Sequence, residues 1–585
     1  MTFTTRPTLH GTFGMVSSTH WLASQSAMRM LELGGNAFDA AVTAGFVLHV
    51  VEPHLNGPGG EVPAIVATAA DPTPRVLAGQ GVAPAGATIE HYRDLGLDLV
   101  PGSGPLAATV PGAVDAWFLL LRDHGTLPLS TVLEPAIDYA RNGHPLVPRV
   151  TETVATVQEL FETHWPTSAA LWLRDGRPPT GLFRNPAYAE TLVRLIDAGE
   201  AAGPDRDAQI EAARAAWRTG FVAEAVDAFS KLPHRDSSGA DHAGLITGQD
   251  MADFQATWED ATTYDWNGHT IAKTGPWGQG PALLQSLAIL TKLGDVDLTS
   301  ADGVHLTVEA MKLAYADREA WYGDGADVPL KTLLSPAYAA ARARLISAEA
   351  SFELRPGSPD GRTPRLPSVA TGNHQTDATT GEPTVARDGE TRGDTCHVDV
   401  VDRWGNFISA TPSGGWLQSS PTIPSLGFCL GSRAQMFWLE EGLPASLAPG
   451  KRPRTTLTPT LVLRDGHPLL ACGSPGGDHQ DQWQLLFLLR HLGQGMDLQA
   501  AIDAPAWQTN AFPSSFYPRT TEPGSIVLET RLSPAIRENL TRRGHRVTES
   551  DPWSLGRLCA VRRTPDGLLS AAANPRGMQG YAVGR

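Results

Sequence analysis

Thr395 stands at the boundary between two very different stretches of chain. Residues 355–394 are built mainly of Pro, Gly, Thr, Asp and Arg, with few apolar side chains. Directly afterwards, Cys396-His397-Val398-Asp399-Val400-Val401 alternates. The first composition predicts an exposed, flexible linker and the second a β-strand. A threonine at such a place is ordinarily a strand starter or a cap. It acquires chemistry if the bond between Asp394 and Thr395 breaks, because Thr395 then carries a hydroxyl and a free α-amine on one residue. An α-amine titrates at about 7.7–8.0, so it can accept the proton of its own hydroxyl at neutral pH. That is how an N-terminal nucleophile attacks an amide carbonyl.

Other chemistries find less support. H-E-x-x-H, G-x-S-x-G and EF-hand patterns are absent, and Pro449-Gly450-Lys451-Arg452-Pro453 lacks the glycine and hydroxyl spacing of a phosphate loop. Gly278-Gln279-Gly280 has no suitable third glycine for dinucleotide binding. His479 and Asp481 are close enough in sequence to share a metal, but such a pair is more often a polar or supporting feature. No metal and no cofactor is expected. The 15 Trp residues are scattered, which fits packing better than a stacking surface for sugars or bases.

The elements that must position Thr395 follow from periodicity. Leu22 to Leu33 has apolar residues at helical spacing and stops at Gly34-Gly35, and Asn36 to Val51 reads as a buried helix. Ala113 to Leu121, Ser130 to Asn142 and Val304 to Trp321 repeat the pattern, so the first 350 residues read mainly as helices. After the linker the period changes to two. Residues 396–401 and 407–411 form one expected hairpin about Trp404-Gly405-Asn406, and 460–464 with 468–473 form another about Asp465-Gly466. Gln482 to Leu492 and Leu498 to Ile502 return to helix. Strands bracketed by helices imply an α/β/β/α layering.

Composition bounds the partners. A chain of 585 residues with 41% hydrophobic content has material for a large core. Its net charge of −16 argues against nucleic acid as the main partner. There is no run of 18 apolar residues and no basic-then-apolar N-terminus, so neither a membrane span nor a secretory signal is expected, and a cytoplasmic location follows. Cys396, Cys429, Cys472 and Cys559 are few and show no C-x-x-C spacing; buried free thiols are the expectation.

With these residues in hand, the chain resembles the γ-glutamyltransferase (γ-glutamyl transpeptidase) family of N-terminal-nucleophile hydrolases nearly end to end. Gly35-Asn36-Ala37-Phe38-Asp39-Ala40-Ala41 and Val51-Glu52-Pro53-His54 look like the family's G-N-A-x-D-A-A and V-E-P-H signatures, followed by the turn Gly57-Pro58-Gly59-Gly60. Val110-Pro111-Gly112, Glu309-Ala310-Met311-Lys312 and Ala316-Asp317-Arg318 are further marks. Asp394-Thr395-Cys396-His397 is similar to the self-cleavage site, and Pro449 to Pro453 and Gly473-Ser474-Pro475-Gly476-Gly477 complete the series.

The resemblance implies an α/β (α+β) fold, the four-layer αββα sandwich of these hydrolases, formed as one intertwined unit. It implies self-cleavage between Asp394 and Thr395 into a large fragment, 1–394, and a small one, 395–585, that remain associated. Thr395 would form an acyl-enzyme with a small-molecule amide, while the backbone N–H groups of Gly476 and Gly477 hold the oxyanion. Ser413 aligns with the hydroxyl residue that supports the nucleophile. A higher oligomer is compatible with this reading, and glutathione-like γ-glutamyl donors are what the family implies.

Substrate recognition departs from the family. The arginine of its R-E-x-A-P segment is Gln80 here, which offers no charge and no bidentate fork. The residue that would hold the α-amine as Asn is Gly415, and the corresponding carboxylate position is Met436. The paired hydroxyls of P-x-S-S survive as Thr455-Thr456. Arg433 takes the place of a family Gln and is expected to pair with a substrate carboxylate, as in an acylase-like branch handling glutaryl- or oxamate-type groups; a structural ion pair is the alternative. Hydrolysis is favoured over transfer because no acceptor site is legible. A catalytically silent, uncleaved ligand-binding relative is the competing reading of another class, and retention of Thr395, Ser413, Gly476 and Gly477 speaks against it.

Overall fold

Both hairpins read in the C-terminal part form, and each becomes the centre of a seven-stranded sheet. The computed structural model describes residues 3–369 and 395–585, with the short strands Thr384–Val385 and Thr391–Arg392. The N-terminal part contributes β1 (Leu9–Gly11), β2 (Gly14–Ser18), β3 (Val62–Ala67), β4 (Arg75–Gly79), β5 (Thr257–Asp260), β6 (Thr262–Trp266) and β7 (His269–Lys273). The C-terminal part contributes β8 (Val398–Asp402), β9 (Phe407–Ala410), β10 (Thr460–Arg464), β11 (His467–Gly473), β12 (Cys559–Arg563), β13 (Leu569–Ala573) and β14 (Tyr581–Gly584). One sheet runs β14-β2-β8-β9-β3-β4-β5 and the other β1-β13-β12-β11-β10-β7-β6, with all neighbours antiparallel.

The mainly helical reading of the first 350 residues therefore misses the strands that complete both sheets. β3 shows why: Val-Pro-Ala-Ile-Val-Ala is buried along its whole length, so it carries no period-two signal. The helices read from periodicity are present, among them α1 (Trp21–Glu32), α2 (Ala37–Val51) and α3 (Ala113–His124). α2 begins with a capping box, in which Asn36 accepts from the Phe38 and Asp39 amides while Asp39 accepts from Asn36. On the opposite side lie α4 (Pro281–Thr291), α5 (Ala301–Trp321) and α6 (Gln480–Leu488).

Alternation along the strands sorts side chains between layers. Val398, Val400, Ile408 and Ala410 pack on α1–α3, whereas Val401 and Phe407 meet Leu461, Ala471 and Val561 of the facing sheet. Val462, Leu470 and Cys472 cover α4–α6. The result is the four-layer αββα sandwich. All four cysteines are free and buried. No helix among the described residues is long and apolar enough to cross a membrane.

The first part of the segment read as a linker is fastened to the body. Gly357 donates to Asp317 at 2.6 Å, Arg355 to the Leu345 carbonyl at 3.0 Å, and the Ser368 amide to Glu440 at 2.8 Å. Residues 370–394, apart from the two short strands, lie outside the described residues, and Asp394 is among them.

Candidate active site

Thr395, Ser413 and Glu61 form a row across three neighbouring segments. Thr395 bridges Ser413, and Ser413 bridges Glu61, both antiparallel. The Ser413 amide donates to the Glu61 carbonyl at 3.0 Å and the Glu61 amide to the Ser413 carbonyl at 2.9 Å. The hydroxyl oxygens of Thr395 and Ser413 are 3.2 Å apart, and all three residues are buried. Even-numbered Cys396 packs towards the helices, while His397 reaches the facing sheet. The alternation carried back two residues directs Thr395 towards that same inter-sheet face.

Arg433 closes the row. It lies in a short turn, Arg433–Met436, and its Nε donates to Glu61 Oε1 at 2.5 Å. Its Nη2 bonds Glu61 as well and donates to Ser413 Oγ at 2.8 Å. Burial raises the Glu61 carboxyl above its ordinary value, and the adjacent guanidinium opposes that shift. Trp416 and Phe516 lie 5.0 Å and 5.9 Å from the guanidinium carbon, in cation–π range. Among the described residues, Nη1 donates to the weak acceptor Met436 Sδ, at 3.8 Å. The fork expected to be open for a substrate carboxylate is thus filled by Glu61, which the sequence reading passed over. The signal was a charged residue directly after Gly57-Pro58-Gly59-Gly60, at the entrance to β3.

The glycine pair follows β11, on the sheet facing β8. Gly473 ends that strand with its α-carbon against the His397 ring. His397 is tied to Asp399 at 2.9 Å and to Thr411 at 3.0 Å. Gly476 has φ +130°, and a Cβ there would lie 2.1 Å from the Trp483 ring, so no larger residue fits. Gly477 opens the turn into α6, and its carbonyl accepts from Gln279 at 3.3 Å. The next residue, Asp478, is anchored by Arg318 and by the Ser515 amide at 2.8 Å. Burial alone would raise Asp478, but Arg318 and Ser515 bring its carboxyl below the ordinary range.

The remaining sequence-derived residues surround this centre. Gln80 is buried and continues the β3–β4 register opposite Glu61; its Nε2 donates to Gly81 at 3.2 Å and its Oε1 has no partner among the described residues. The Thr455 backbone pairs with Trp277 and Gln279, the latter linking it to Gly477. The buried Thr456 hydroxyl has no partner among the described residues. Gly415 has φ +62°, and a Cβ there would come within 2.9 Å of the Gly60 amide nitrogen. Side-chain space at that position is taken by the backbone of the 57–60 turn.

The two residues considered for a metal point to different partners: His479 to Asn510 at 2.7 Å and Asp481 to Lys273 at 3.0 Å. His305, Glu309 and His545 lie close enough to share an ion. His305 Nδ1 and His545 Nε2 are already bonded to each other at 2.8 Å and Glu309 is paired with Lys312 and Arg355, while His545 Nδ1 has no partner among the described residues.

The gamma-glutamyltranspeptidase sequence profile matches residues 23–584. The chain belongs to the gamma-glutamyltranspeptidase family. Within it, the oxamate amidohydrolase proenzyme of Klebsiella pneumoniae is 32% identical over 594 residues, covering 98% of each chain. Among solved structures, LmbA2991HD superposes with a TM-score of 0.95 at 61% identity over 100% of both chains. The cephalosporin acylase of Bacillus halodurans gives 0.83 at 26% identity, over 100% of this chain and 97% of its own. These likenesses establish the α/β N-terminal-nucleophile hydrolase fold, and family membership makes the chain a proenzyme-type amidohydrolase.

Proposed function

We propose that the chain cuts itself between Asp394 and Thr395, that the fragments 1–394 and 395–585 stay together, and that Thr395 then hydrolyses a small-molecule amide. The observation that carries this is the Thr395–Ser413 hydroxyl pair, 3.2 Å apart, at the head of a central strand in a family of self-processing enzymes. The Thr395 oxygen bonds to the substrate carbonyl carbon, the carbonyl π pair moves to oxygen, and the hydroxyl proton passes to the Thr395 α-amine. The Gly476 and Gly477 N–H groups hold the oxyanion. Collapse restores the carbonyl, breaks the C–N bond and gives that proton to the leaving amine. Water then repeats the sequence on the ester and releases the acid.

The acyl group is of the acylase or oxamate type rather than γ-glutamyl. Gln80, Gly415 and Met436 stand where α-carboxylate and α-amine partners would be needed, and Gly415 has no room for a side chain. Arg433 Nη1, facing a thioether, is the donor left for an acyl oxygen. The oxamate amidohydrolase and cephalosporin acylase relatives favour the same class. γ-Glutamyl hydrolysis is the second reading, favoured by the retained hydroxyl pair Thr455-Thr456.

Intact mass under denaturing conditions tests the first half: two species, the smaller beginning at Thr395, against one of 62.3 kDa. Rates on γ-glutamyl, glutaryl and oxalyl amides of one amine test the second. A preference for γ-glutamyl overturns the acyl assignment, and a persistent single species overturns the enzyme.

A further inference from the structure

The proposed oxyanion donors are both backbone N–H groups, so their aim is set by the peptide planes that carry them. In a trans peptide the N–H points opposite to the carbonyl of the preceding residue. Neither the Pro475–Gly476 nor the Gly476–Gly477 bond is cis. Whatever holds the Pro475 and Gly476 carbonyls therefore decides where the Gly476 and Gly477 N–H groups point. The Gly476 carbonyl accepts from the His479 amide at 2.9 Å, and the Pro475 carbonyl accepts from the Ser474 hydroxyl at 2.6 Å. We propose that Ser474 is a positioning residue for the oxyanion site: its hydroxyl pins the Pro475–Gly476 peptide plane and so aims the Gly476 N–H.

The direction of this hydrogen bond follows from its backbone partners. A carbonyl only accepts, so the Ser474 hydrogen lies on the Pro475 oxygen. Ser474 Oγ accepts in turn from the Arg557 amide at 3.2 Å. Arg557 leads into β12, whose Cys559 pairs with Gly473 at the end of β11, so the paired strands orient the hydroxyl. Ser474 is buried, and water does not compete for the bond.

Gly476 needs this restraint. Packing on Trp483 admits only glycine there, and glycine leaves φ loose, so the plane on its N-terminal side has no steric lock of its own. In the folded turn Gly476 has φ +130° and ψ 23°. That small ψ nearly eclipses the Gly476 and Gly477 nitrogens about the Cα–C bond and sets both N–H groups on one side, as in an anion-binding nest. Neither N–H has an acceptor among the described residues. The Gly477–Gln279 bond and the Asp478 contacts act on the far side of the pair, beyond the plane that carries the Gly476 N–H.

The inference rests on the amidohydrolase reading and is tested on the self-processed protein with Ser474→Ala and with Ser474→Cys, a weaker donor of nearly the same shape. The acyl group is that of the amide the wild type hydrolyses fastest. Measured are kcat and KM on that amide, the inhibition constant of the corresponding aldehyde, and that of the product acid. Thr395 Oγ bonds to the aldehyde carbon, the carbonyl π pair moves to oxygen, the hydroxyl proton passes to the α-amine, and nothing leaves. The adduct thus places an oxygen where the oxyanion forms, which the acid does not. Ser474→Ala is expected to lower kcat and aldehyde affinity together by at least tenfold, with changes under threefold in KM and acid affinity, and Ser474→Cys is expected to fall between. A wild-type aldehyde affinity in Ser474→Ala, or an equal loss for the acid, overturns the proposal. If Ser474→Ala does not fold, Ser474→Cys carries the same comparison. An uncut, inactive wild type would instead overturn the amidohydrolase reading itself.

Discussion

The ring of His397 packs so closely against the α-carbon of Gly473 that a methyl group there would lie 2.1 Å from a ring carbon. This contact joins the strand headed by Thr395 to the strand that leads into Gly476 and Gly477. It sets the approach of the two sheets at the place where the proposed nucleophile and the proposed oxyanion donors would converge. Gly473→Ala is expected to push the sheets apart or displace His397 from Asp399 and Thr411, an overpacking that costs about 1–3 kcal/mol. Thermal unfolding should register that loss, and self-cleavage should slow in the same variant. An unchanged midpoint would show that the ring can move freely.

Ser413→Ala removes the hydroxyl 3.2 Å from the Thr395 oxygen. Losing a hydroxyl beside developing charge costs up to about 10²–10³ in kcat, and a loss of that size is expected for amide hydrolysis. Thr395→Ala is expected to leave a single uncut chain with no hydrolysis, and mass spectrometry of both variants separates the roles. A Ser413→Ala protein of wild-type kcat would remove Ser413 from the chemistry.

The sequence singled out Thr395 as a candidate by its place at a strand start, and Ser413 and the Gly476-Gly477 pair as candidates by their resemblance to the family's motifs. Glu61 was not singled out. Its partners Ser413 and Arg433 are more than 350 residues away in sequence, and only the pairing of β3 with β9 brings them together. Arg433 could be singled out as an unexpected charge, but not its partner, which depends on that register. β3 and β4 were hidden for a different reason: buried along most of their length, their runs carry no polar residue at alternate positions, whereas the equally buried β8 shows Asp399 between valines.

Acid sensitivity is expected from buried neutral histidines. Burial pulls His49 from 6.5 down to about 3, and burial together with nearby His144 does the same to His20. Between pH 6.5 and about 3 the unfolded chain binds protons that these folded residues refuse, so each one lowers stability as pH falls. The slope approaches about 1.4 kcal/mol per pH unit per histidine. Buried carboxyls with raised values, Glu52 and Asp399 among them, act in the opposite sense. The clean readout is therefore the difference between wild type and His49→Gln. That difference should shift in favour of the variant as pH drops from 6.5 to 4.5, and parallel curves would mean that His49 is not neutral in the fold.

Asp478 follows the glycine pair immediately, and its partners are buried with it. Arg318, which also contacts Glu319 and the Tyr315 and Phe512 rings, holds one side; Ser515 holds the other through its amide at 2.8 Å and its hydroxyl at 2.7 Å. Asp478→Asn keeps the shape but removes the charge that answers Arg318. Breaking a buried pair from one side costs about 3–5 kcal/mol, and the remaining Glu319 contact should keep the loss near the lower end. The His479 amide donates to the Gly476 carbonyl within this turn, so loosening Asp478 is expected to loosen the proposed oxyanion donors. Activity should therefore fall even at temperatures where the variant is fully folded. Measuring kcat well below the unfolding midpoint distinguishes the two effects. If kcat there matches the wild type, Asp478 contributes only to stability, and the glycine turn is held well enough by the His479–Gly476 and Gly477–Gln279 hydrogen bonds and the packing of Gly476 on Trp483.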